Sequence, residues 1–427
     1  MRDAYSKQSR ITHHASRIMR RLIFLAVVSL LVFAGCQGET APEVTAVPTL
    51  APTATATTRP PLPPPVVSLD NTPVPAPTRP LPPGQLFQSP EYGIQVAQWW
   101  NVDDVLPRNL EMVNEMGFGW IKHNFPWRDI EKEKDGYDWY RPDRIVEQAN
   151  DAGLKLLARL DRHPLWSVQP YLPDERITAN QPPYNYQDFG DFCYALAERY
   201  RGRIAAYQVW NEPNLSREWG NQPPNPAEYT ELLKICYENI KAADPEAIVI
   251  SAGLAPTGTQ PPDAMPDTDF LQGMYDAGAA AYFDVLGLNA PGYKAPPDLP
   301  PEEGLKPEWG GHRWNTFRHV EDMRQIMVQN GDADKQIAIL ETGWILQQDL
   351  HPDYIWFGVA EAQQAEYLAG AYQYAKENWQ PWIGLITTIY MADANWTPEA
   401  NEQYWWSVVL PDGSPRLAYE ALRDMPK

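Results

Sequence analysis

The chain has 427 residues, which is enough for one large domain with appendages, and its formal net charge is -20 at pH 7. A surface this acidic repels phosphate backbones and argues against nucleic acid as a partner. The seven scattered histidines show no metal-ligand spacing, so the sequence points to no metal site.

The N-terminus has the pattern of a signal peptide. Residues 22–34 form an apolar stretch, preceded by several arginines, that is too short to span a bilayer comfortably. The small residues before Cys36 resemble a bacterial lipobox, although leucine is more usual than Phe33. The resemblance implies lipidation of Cys36 and a place on the extracellular face of a bacterial membrane; an ordinary signal peptide or an uncleaved anchor is the alternative. Translation starts at Met1 or at Met19, which would give a more compact signal.

A spacer follows the signal. Residues 41–85 are dominated by Pro, Thr, Ala and Val, a composition that builds neither a helix nor a sheet core. We therefore expect a signal peptide over residues 1–35, a lipidated cysteine with a disordered Pro/Thr-rich linker over residues 36–87, and one folded domain over residues 88–427. A lipid anchor followed by this spacer would hold the folded domain away from the membrane, which suits an enzyme that acts on extracellular polymer.

The folded domain alternates short apolar runs with segments of helical periodicity. Runs that are apolar almost throughout are typical of parallel strands covered on both faces, and this alternation predicts an α/β fold, the (β/α)8 TIM barrel, with enlarged loops. A doubly wound open sheet is the alternative, but the glycine-rich turn usual after its first strand is missing from GIQVAQWWN. The predicted strands begin near Gly93, Trp120, Leu154, Ile204, Ala247, Phe283, Gln336 and Ile383.

Two cysteines lie in the helical segments of this domain. Cys193 and Cys236 each belong to an amphipathic pattern. Secretion permits a disulfide between them, and two buried thiols fit the pattern as well.

Two glutamates stand at predicted strand ends. Glu212 follows the fourth strand in VWNEPN, and Glu341 follows the seventh in ILETGW. Active sites of such barrels lie at the C-terminal ends of the strands, and strands 4 and 7 face each other across a barrel. Because cleavage of a glycosidic bond needs one protonated and one ionised carboxyl group, the pair predicts a glycoside hydrolase.

These two motifs, in this order, resemble those of a large clan of retaining glycoside hydrolases that includes cellulases, mannanases, β-xylosidases and α-L-iduronidase. The resemblance covers nearly the whole domain. It implies that Asn211 binds the substrate, Glu212 is the general acid/base and Glu341 is the nucleophile. It also implies a poly- or oligosaccharide substrate and no cofactor or metal. We expect a monomer.

The chain departs from the clan's pattern on strands 2 and 6. Where relatives carry an arginine near the end of strand 2, this chain has Lys122, which keeps the charge but loses the bidentate fork. Asn289 stands in place of a histidine on strand 6 and can donate to a sugar hydroxyl. Tyr293, shortly after it, either orients Glu341 by a hydrogen bond or packs within its loop.

Aromatic side chains near strand ends are candidate platforms for sugar rings, although the composition of 17 tryptophans and 22 tyrosines also reflects core packing. Strand alternation directs Trp210 away from Asn211, so we expect it to pack between strands and helices. The candidate platforms are Trp127, Trp166, Trp344 and Tyr390.

Two other functions fit the sequence. The substitutions at Lys122 and Asn289 favour a lipid-anchored carbohydrate-binding protein without turnover, whereas the intact glutamate pair speaks against it. A transglycosylase would use the same pair while excluding water. The sequence distinguishes neither the sugar and its linkage nor internal from terminal cleavage.

Overall fold

The computed structural model describes residues 85–168 and 180–427. The predicted signal peptide, Cys36 and the linker up to residue 84 lie outside the described residues. Within them, eight strands form one parallel sheet, and a helix of eight or more residues follows each strand. The alternation predicted from the sequence is therefore confirmed.

The strands begin within a few residues of their predicted starts. They are β1 (Glu91–Val96), β2 (Trp120–Pro126), β3 (Lys155–Asp161), β4 (Ala206–Val209), β5 (Ile248–Ile250), β6 (Leu286–Asn289), β7 (Ile337–Thr342) and β8 (Ile383–Met391).

The helices that follow them are α1 (Leu106–Glu115), α2 (Tyr140–Asp151), α3 (Tyr186–Arg199), α4 (Pro226–Ala243), α5 (Asp267–Asp276), α6 (Val320–Gln329), α7 (Glu361–Asn378) and α8 (Leu417–Asp424). Shorter elements lie in the loops: a hairpin (Glu131–Glu133 with Gly136–Tyr137), three single-turn helices (Trp127–Ile130, Pro301–Gly304, Gln403–Trp406) and 3-10 turns (Leu165–Ser167, Ser216–Glu218, Ala279–Tyr282, Pro307–Trp309, Arg313–Asn315, Phe317–His319, Pro352–Phe357).

The sheet curls into a nearly closed barrel. Its hydrogen-bonded order runs from β5 through β4, β3, β2, β1, β8 and β7 to β6. Parallel bridges from Ile250 to Val285 and from Leu254 to Leu288 join the two ends. This order is that of a (β/α)8 barrel and not of a doubly wound open sheet.

An apolar plug fills the N-terminal end of the barrel. Phe87, which the sequence analysis assigns to the end of the linker, is fully buried in it. The backbone N–H groups of Leu86 and Phe87 both donate to Gln336 Oε1, at 2.9 Å. The chain before β1 thus closes the bottom of the barrel, and polar chemistry is confined to the other end. The other plug residues are Trp120, Leu157, Ala206, Ile250, Val285, Ala338, Leu340 and Leu385.

The helices bury one face each against the outside of the barrel. In α4 the buried face includes Leu232, Leu233 and Ile240, as its periodicity predicts. The structure pairs Cys193 of α3 with Cys236 of α4 in a disulfide, which resolves the alternative left open by the sequence. Of the helices in the described part of the chain, none is both long and apolar enough to cross a membrane.

Candidate active site

The C-terminal end of the barrel brings together charged or polar side chains from five strands or strand ends. Lys122 belongs to β2, Arg159 to β3, Asn289 to β6 and Glu341 to β7, and Glu212 follows β4. All of them are buried or half-buried. The glutamates predicted from the motifs therefore share one polar site above the apolar plug.

A sharp turn at the end of β4 presents Glu212 to this site. Trp210 and Glu212 both have positive φ, 74° and 40°, which is uncommon for residues other than glycine and tends to occur at functional sites. The Trp210 ring is fully buried, packs on Phe189 of α3, and donates through Nε1 to Glu218 O. The prediction that Trp210 points away from the site is confirmed.

Two cations hold Glu341. Lys122 Nζ lies 3.0 Å from Glu341 Oε1, and Arg159 Nη1 lies 3.2 Å from the same oxygen. Burial alone would raise the pKa of Glu341, but Lys122 and Arg159 together keep it below its usual range. Glu341 is therefore ionised at neutral pH, as a nucleophile must be.

Arg159 is a site residue that the sequence analysis missed. Besides Glu341, its Nη1 donates to Asn211 Oδ1 at 3.1 Å, and its Nε lies 3.0 Å from Asp161 Oδ2. Arg159 thus connects Glu341 to the asparagine before Glu212. The signal was an arginine near the C-terminal end of the run LKLLARL, whose other charge, Lys155, stands at its start. A strand buried on both faces retains a charge in its interior only where that charge has partners.

Glu212 has the opposite electrostatic environment. Asn289 Nδ2 donates to its Oε1 at 2.9 Å, and Arg217 Nη2 lies 3.4 Å from its Oε2. Burial, followed by the negative charge of Glu341, raises the pKa of Glu212 to about 7. Glu212 is therefore largely protonated at pH values where Glu341 is ionised, which is the division of roles that an acid and a nucleophile need.

A third carboxyl group, missed by the sequence analysis, lies close enough to this pair to be influenced by its charge. Glu402 lies in the loop after β8, directly before the turn Gln403–Trp406, and is half-buried. Burial, followed by the charge of Glu341, raises its pKa to about 7. Nothing in a loop sequence marks such a residue, since its direction depends on how the loop folds.

Two of the predicted platforms have no free ring face. Trp127 and Trp344 are fully buried; Trp127 Nε1 donates to Glu131 Oε2, and Trp344 Nε1 donates to Ala295 O. Trp166 is half-buried, donates to Glu131 O and packs edge-on against Trp127. Trp127 and Trp344 therefore belong to the core, where their indole N–H groups donate to protein acceptors.

The two predicted tyrosines have different surroundings. Tyr390, in β8, is half-buried, and its pKa is raised by burial and then by the charge of Glu341. Tyr293 donates its hydroxyl to Pro256 O at 3.2 Å rather than to Glu341. Its ring stacks on Trp356 of the loop after β7, with centroids 5.9 Å apart, so Tyr293 packs between loops and does not orient Glu341.

Comparison with known proteins gives matches at the level of structure. No family model matches the chain, and neither does any curated protein. A family 39 glycoside hydrolase from the gut symbiont Bacteroides cellulosilyticus WH2 has a TM-score of 0.58 at 19% identity, covering 78% of this chain and 63% of that chain. The chain thus spans under two thirds of that protein's length.

Two further solved structures have similar scores. A family 39 β-xylosidase from Caulobacter crescentus has a TM-score of 0.55 at 18% identity, covering 80% of this chain and 71% of that chain. A GH5_18 protein from Streptomyces cattleya, in complex with GlcNAc, has a TM-score of 0.57 at 13% identity, covering 79% and 80%. At these identities the likeness shows the fold alone, which is a (β/α)8 barrel.

Proposed function

We propose that the protein is a retaining glycoside hydrolase that cleaves O-glycosidic bonds of poly- or oligosaccharides, with Glu341 as nucleophile and Glu212 as general acid/base. The observation that carries the proposal is the opposite environment of the two carboxyl groups. Two buried cations keep Glu341 ionised, while burial and the charge of Glu341 favour a protonated Glu212. The (β/α)8 fold shared with solved glycoside hydrolases agrees with it.

The chemistry follows in two displacements. Glu341 attacks the anomeric carbon while Glu212 gives its proton to the departing glycosidic oxygen, so a covalent glycosyl-enzyme forms. Glu212, now ionised, takes a proton from water, and the water oxygen attacks the anomeric carbon and releases Glu341. Retention requires the two carboxyl groups to be about 5–5.5 Å apart. In this proposal Asn211, whose Oδ1 accepts from Arg159, binds a sugar hydroxyl beside the reacting carbon.

The departures from the clan's pattern at Lys122 and Asn289, which favoured a non-catalytic binding protein, are also compatible with an enzyme. Lys122 contacts Glu341, and Asn289 contacts Glu212. Both residues therefore act on the carboxyl groups that turnover needs, so their difference from the clan's pattern is no argument for lost activity.

The test is hydrolysis by the purified full-length chain of a panel of aryl glycosides and polysaccharides, with Glu341→Gln and Glu212→Gln in parallel. Glu341→Gln should abolish hydrolysis. Glu212→Gln should retain more activity on 2,4-dinitrophenyl glycosides than on polysaccharides, because a good leaving group needs little protonation. NMR of the first-formed anomer should show retention.

Other outcomes would lead to other functions. Equal activity of the native chain and Glu341→Gln would remove Glu341 as nucleophile. No hydrolysis together with saccharide binding would favour the carbohydrate-binding protein, and transfer to sugar acceptors in place of water would favour the transglycosylase.

We also propose that the chain is anchored by a lipid on Cys36 at the extracellular face of a bacterial membrane. The apolar stretch and the small residues before Cys36 support this. Growth with a labelled fatty acid should label the native chain but not Cys36→Ser, and protease added to intact cells should release the native domain. A Cys36→Ser chain that still carries the label would contradict the proposal.

A further inference from the structure

Two large aromatic side chains are exposed at the C-terminal end of the barrel. Trp100, in the loop between β1 and α1, is 64% exposed, and Tyr140, the first residue of α2, is 56% exposed. Loops that follow the strands lie at the same end of a (β/α)8 barrel as the active site, and so do the first turns of the helices after them. Because water solvates an indole ring poorly, tryptophan is seldom left this exposed. The two rings therefore mark a surface at the end of the barrel that holds Glu212 and Glu341.

Polar contacts fix both rings in place. The guanidinium of Arg141 lies over the Trp100 ring, with Cζ 4.3 Å from the ring centre. Tyr140 donates its hydroxyl to Asp103 Oδ2 at 2.6 Å, and Arg144 Nε donates to Asp103 Oδ1 at 2.9 Å. These contacts join the β1–α1 loop to the start of α2, so the rings are held before any ligand binds. We call these five residues, Trp100, Asp103, Tyr140, Arg141 and Arg144, the Trp100 patch.

One face of the Trp100 ring is open to a ligand. Arg141 covers one side of the ring, and a ring covered on both sides would not leave Trp100 64% exposed. The partly exposed side chains of Asp103 and Arg144 and the hydroxyl of Tyr140 add hydrogen-bonding groups beside it. A flat apolar face next to polar groups matches a pyranose ring, which has C–H bonds on its faces and hydroxyls around its edge.

Other kinds of ligand match this surface less well. An acyl chain placed on Trp100 would take water from Asp103 and Arg144 without replacing their hydrogen bonds. A stable protein interface buries about 800 Å² on each partner, which is more than two rings supply. The net charge of -20 disfavours a polyanionic chain. A neutral carbohydrate remains as the ligand that the patch favours.

We propose that the Trp100 patch is a second carbohydrate-binding site, which holds a neutral β-1,4-linked polysaccharide by stacking Trp100 on one of its pyranose rings. In such chains most ring substituents are equatorial, so the faces present C–H bonds to the indole. The inference rests on the proposed function for the class of ligand and adds a binding contact outside the carboxyl pair. A polymer chain held there has a raised effective concentration at the same end of the barrel as Glu212 and Glu341.

The binding test uses native gels that contain a soluble polysaccharide. The probes are hydroxyethyl cellulose, arabinoxylan and glucomannan, with polygalacturonate as the anionic comparison. Every full-length chain carries Glu341→Gln, so that the polysaccharide in the gel stays intact. Trp100→Ala removes the ring, and Trp100→Phe keeps a smaller one. Val328→Ala is the control, since Val328 is 49% exposed in the last turn of α6, at the opposite end of the barrel.

At least one neutral polysaccharide should retard the parent chain and the Val328→Ala control. Trp100→Ala should bind it about tenfold more weakly, because one apolar ring face is lost, and Trp100→Phe should lie between the two. Polygalacturonate should retard none of the chains. Three results would overturn the inference: no retardation by any neutral polysaccharide, equal retardation of the parent and Trp100→Ala, or stronger retardation by polygalacturonate.

Kinetics with an intact Glu341 separate this inference from the proposed function. On a polysaccharide that the chain cleaves, Trp100→Ala should raise KM about three- to tenfold with little change in kcat, because the patch binds the chain without contacting the reacting bond. On an aryl glycoside, which has no further sugar to reach the patch, both constants should stay as they are. A lower kcat on the aryl glycoside would place Trp100 at the carboxyl pair and overturn the inference.

The two proposals fail in different ways. Binding that depends on Trp100, in a chain that hydrolyses nothing in the wider aryl glycoside and polysaccharide panel, would overturn the proposed function and leave the carbohydrate site. Hydrolysis that requires Glu341, without any binding that depends on Trp100, would overturn the second site and leave the proposed function.

Discussion

Lys122 Nζ donates both to Glu341 Oε1, at 3.0 Å, and to Leu340 O, at 3.1 Å, so one buried ammonium holds the carboxylate of Glu341 and the backbone just before it. Lys122 is fully buried, and burial lowers its pKa to about 8 even though Glu341 opposes the shift. An ammonium is a point charge and cannot span both carboxylate oxygens as a guanidinium does. Arg159, from the next strand, adds the second contact to Glu341 Oε1.

Replacing Lys122 by methionine should lower the activity that depends on an ionised Glu341. The change leaves a buried carboxylate with one cation instead of two, so the pKa of Glu341 should rise and kcat/KM should fall by about two to three orders of magnitude. The acid limb of the pH profile should move to higher pH. Lys122→Arg, which restores the charge, should recover part of the activity; an acid limb that stays in place in Lys122→Met would contradict this account.

The pH profile of the native enzyme should be bell-shaped. Activity requires Glu341 ionised and Glu212 protonated, so it should rise as Glu341 loses its proton below the usual glutamate pKa and fall as pH increases through about 7. The profile of kcat/KM on an aryl glycoside measures both limbs. Activity that stays level well above pH 8 would show that Glu212 is not the acid, or that its pKa is much higher.

Arg217 sets the position of the alkaline limb. Its positive charge beside Glu212 favours the ionised carboxyl group and so lowers the pKa of Glu212 against the larger effect of burial. Arg217→Gln should therefore move the alkaline limb to higher pH, whereas Arg217→Lys, which keeps the charge, should leave it nearly unchanged. A limb that moves equally in both variants would point to geometry rather than charge.

The parts of the molecule set by periodicity were predictable, and those set by loop folding were not. Buried strands are recognisable in the sequence as apolar runs, and a glutamate directly after such a run lies at the C-terminal end of the barrel. This reasoning identified Glu212 and Glu341. Glu402 was not predictable, because its direction comes from the turn after β8. Trp127 and Trp344 follow strands as well, but the loops above cover them, and strand alternation does not extend past a strand's end.

A buried histidine joins α5 to α6 and should make stability depend on pH. His319 Nε2 lies 2.9 Å from Asp267 Oδ2, and its Nδ1 lies 3.0 Å from Asp322 Oδ2. Burial alone would lower the pKa of His319, but the two carboxylates raise it to about 9. Because the folded pKa exceeds the unfolded one, the stabilisation is complete below pH 6.5 and is lost as pH rises through about 9.

Comparing the unfolding free energies of the native chain and of His319→Leu isolates the contribution of the charged histidine. At pH 6 the variant should lose about 3 kcal/mol of unfolding free energy, because the buried carboxylate of Asp267 loses its partner, whereas half-buried Asp322 keeps Arg313. At pH 10 the difference should shrink markedly, since the native histidine is then neutral. Urea unfolding at both pH values measures it, and a difference that does not change with pH would mean that His319 is not charged in the folded protein.

Phe87 should be as important to stability as any residue of the barrel, although it precedes β1. Its ring is fully buried in the plug and packs against Trp120 with centroids 5.3 Å apart. Phe87→Ala should lower the free energy of unfolding by about 3–5 kcal/mol, because loss of the ring leaves a cavity in the plug. Leu86→Ala is the control: Leu86 is 42% exposed and should cost no more than about 0.5 kcal/mol. Urea unfolding of the three chains decides the matter, and equal losses in the two variants would show that Phe87 does not close the barrel.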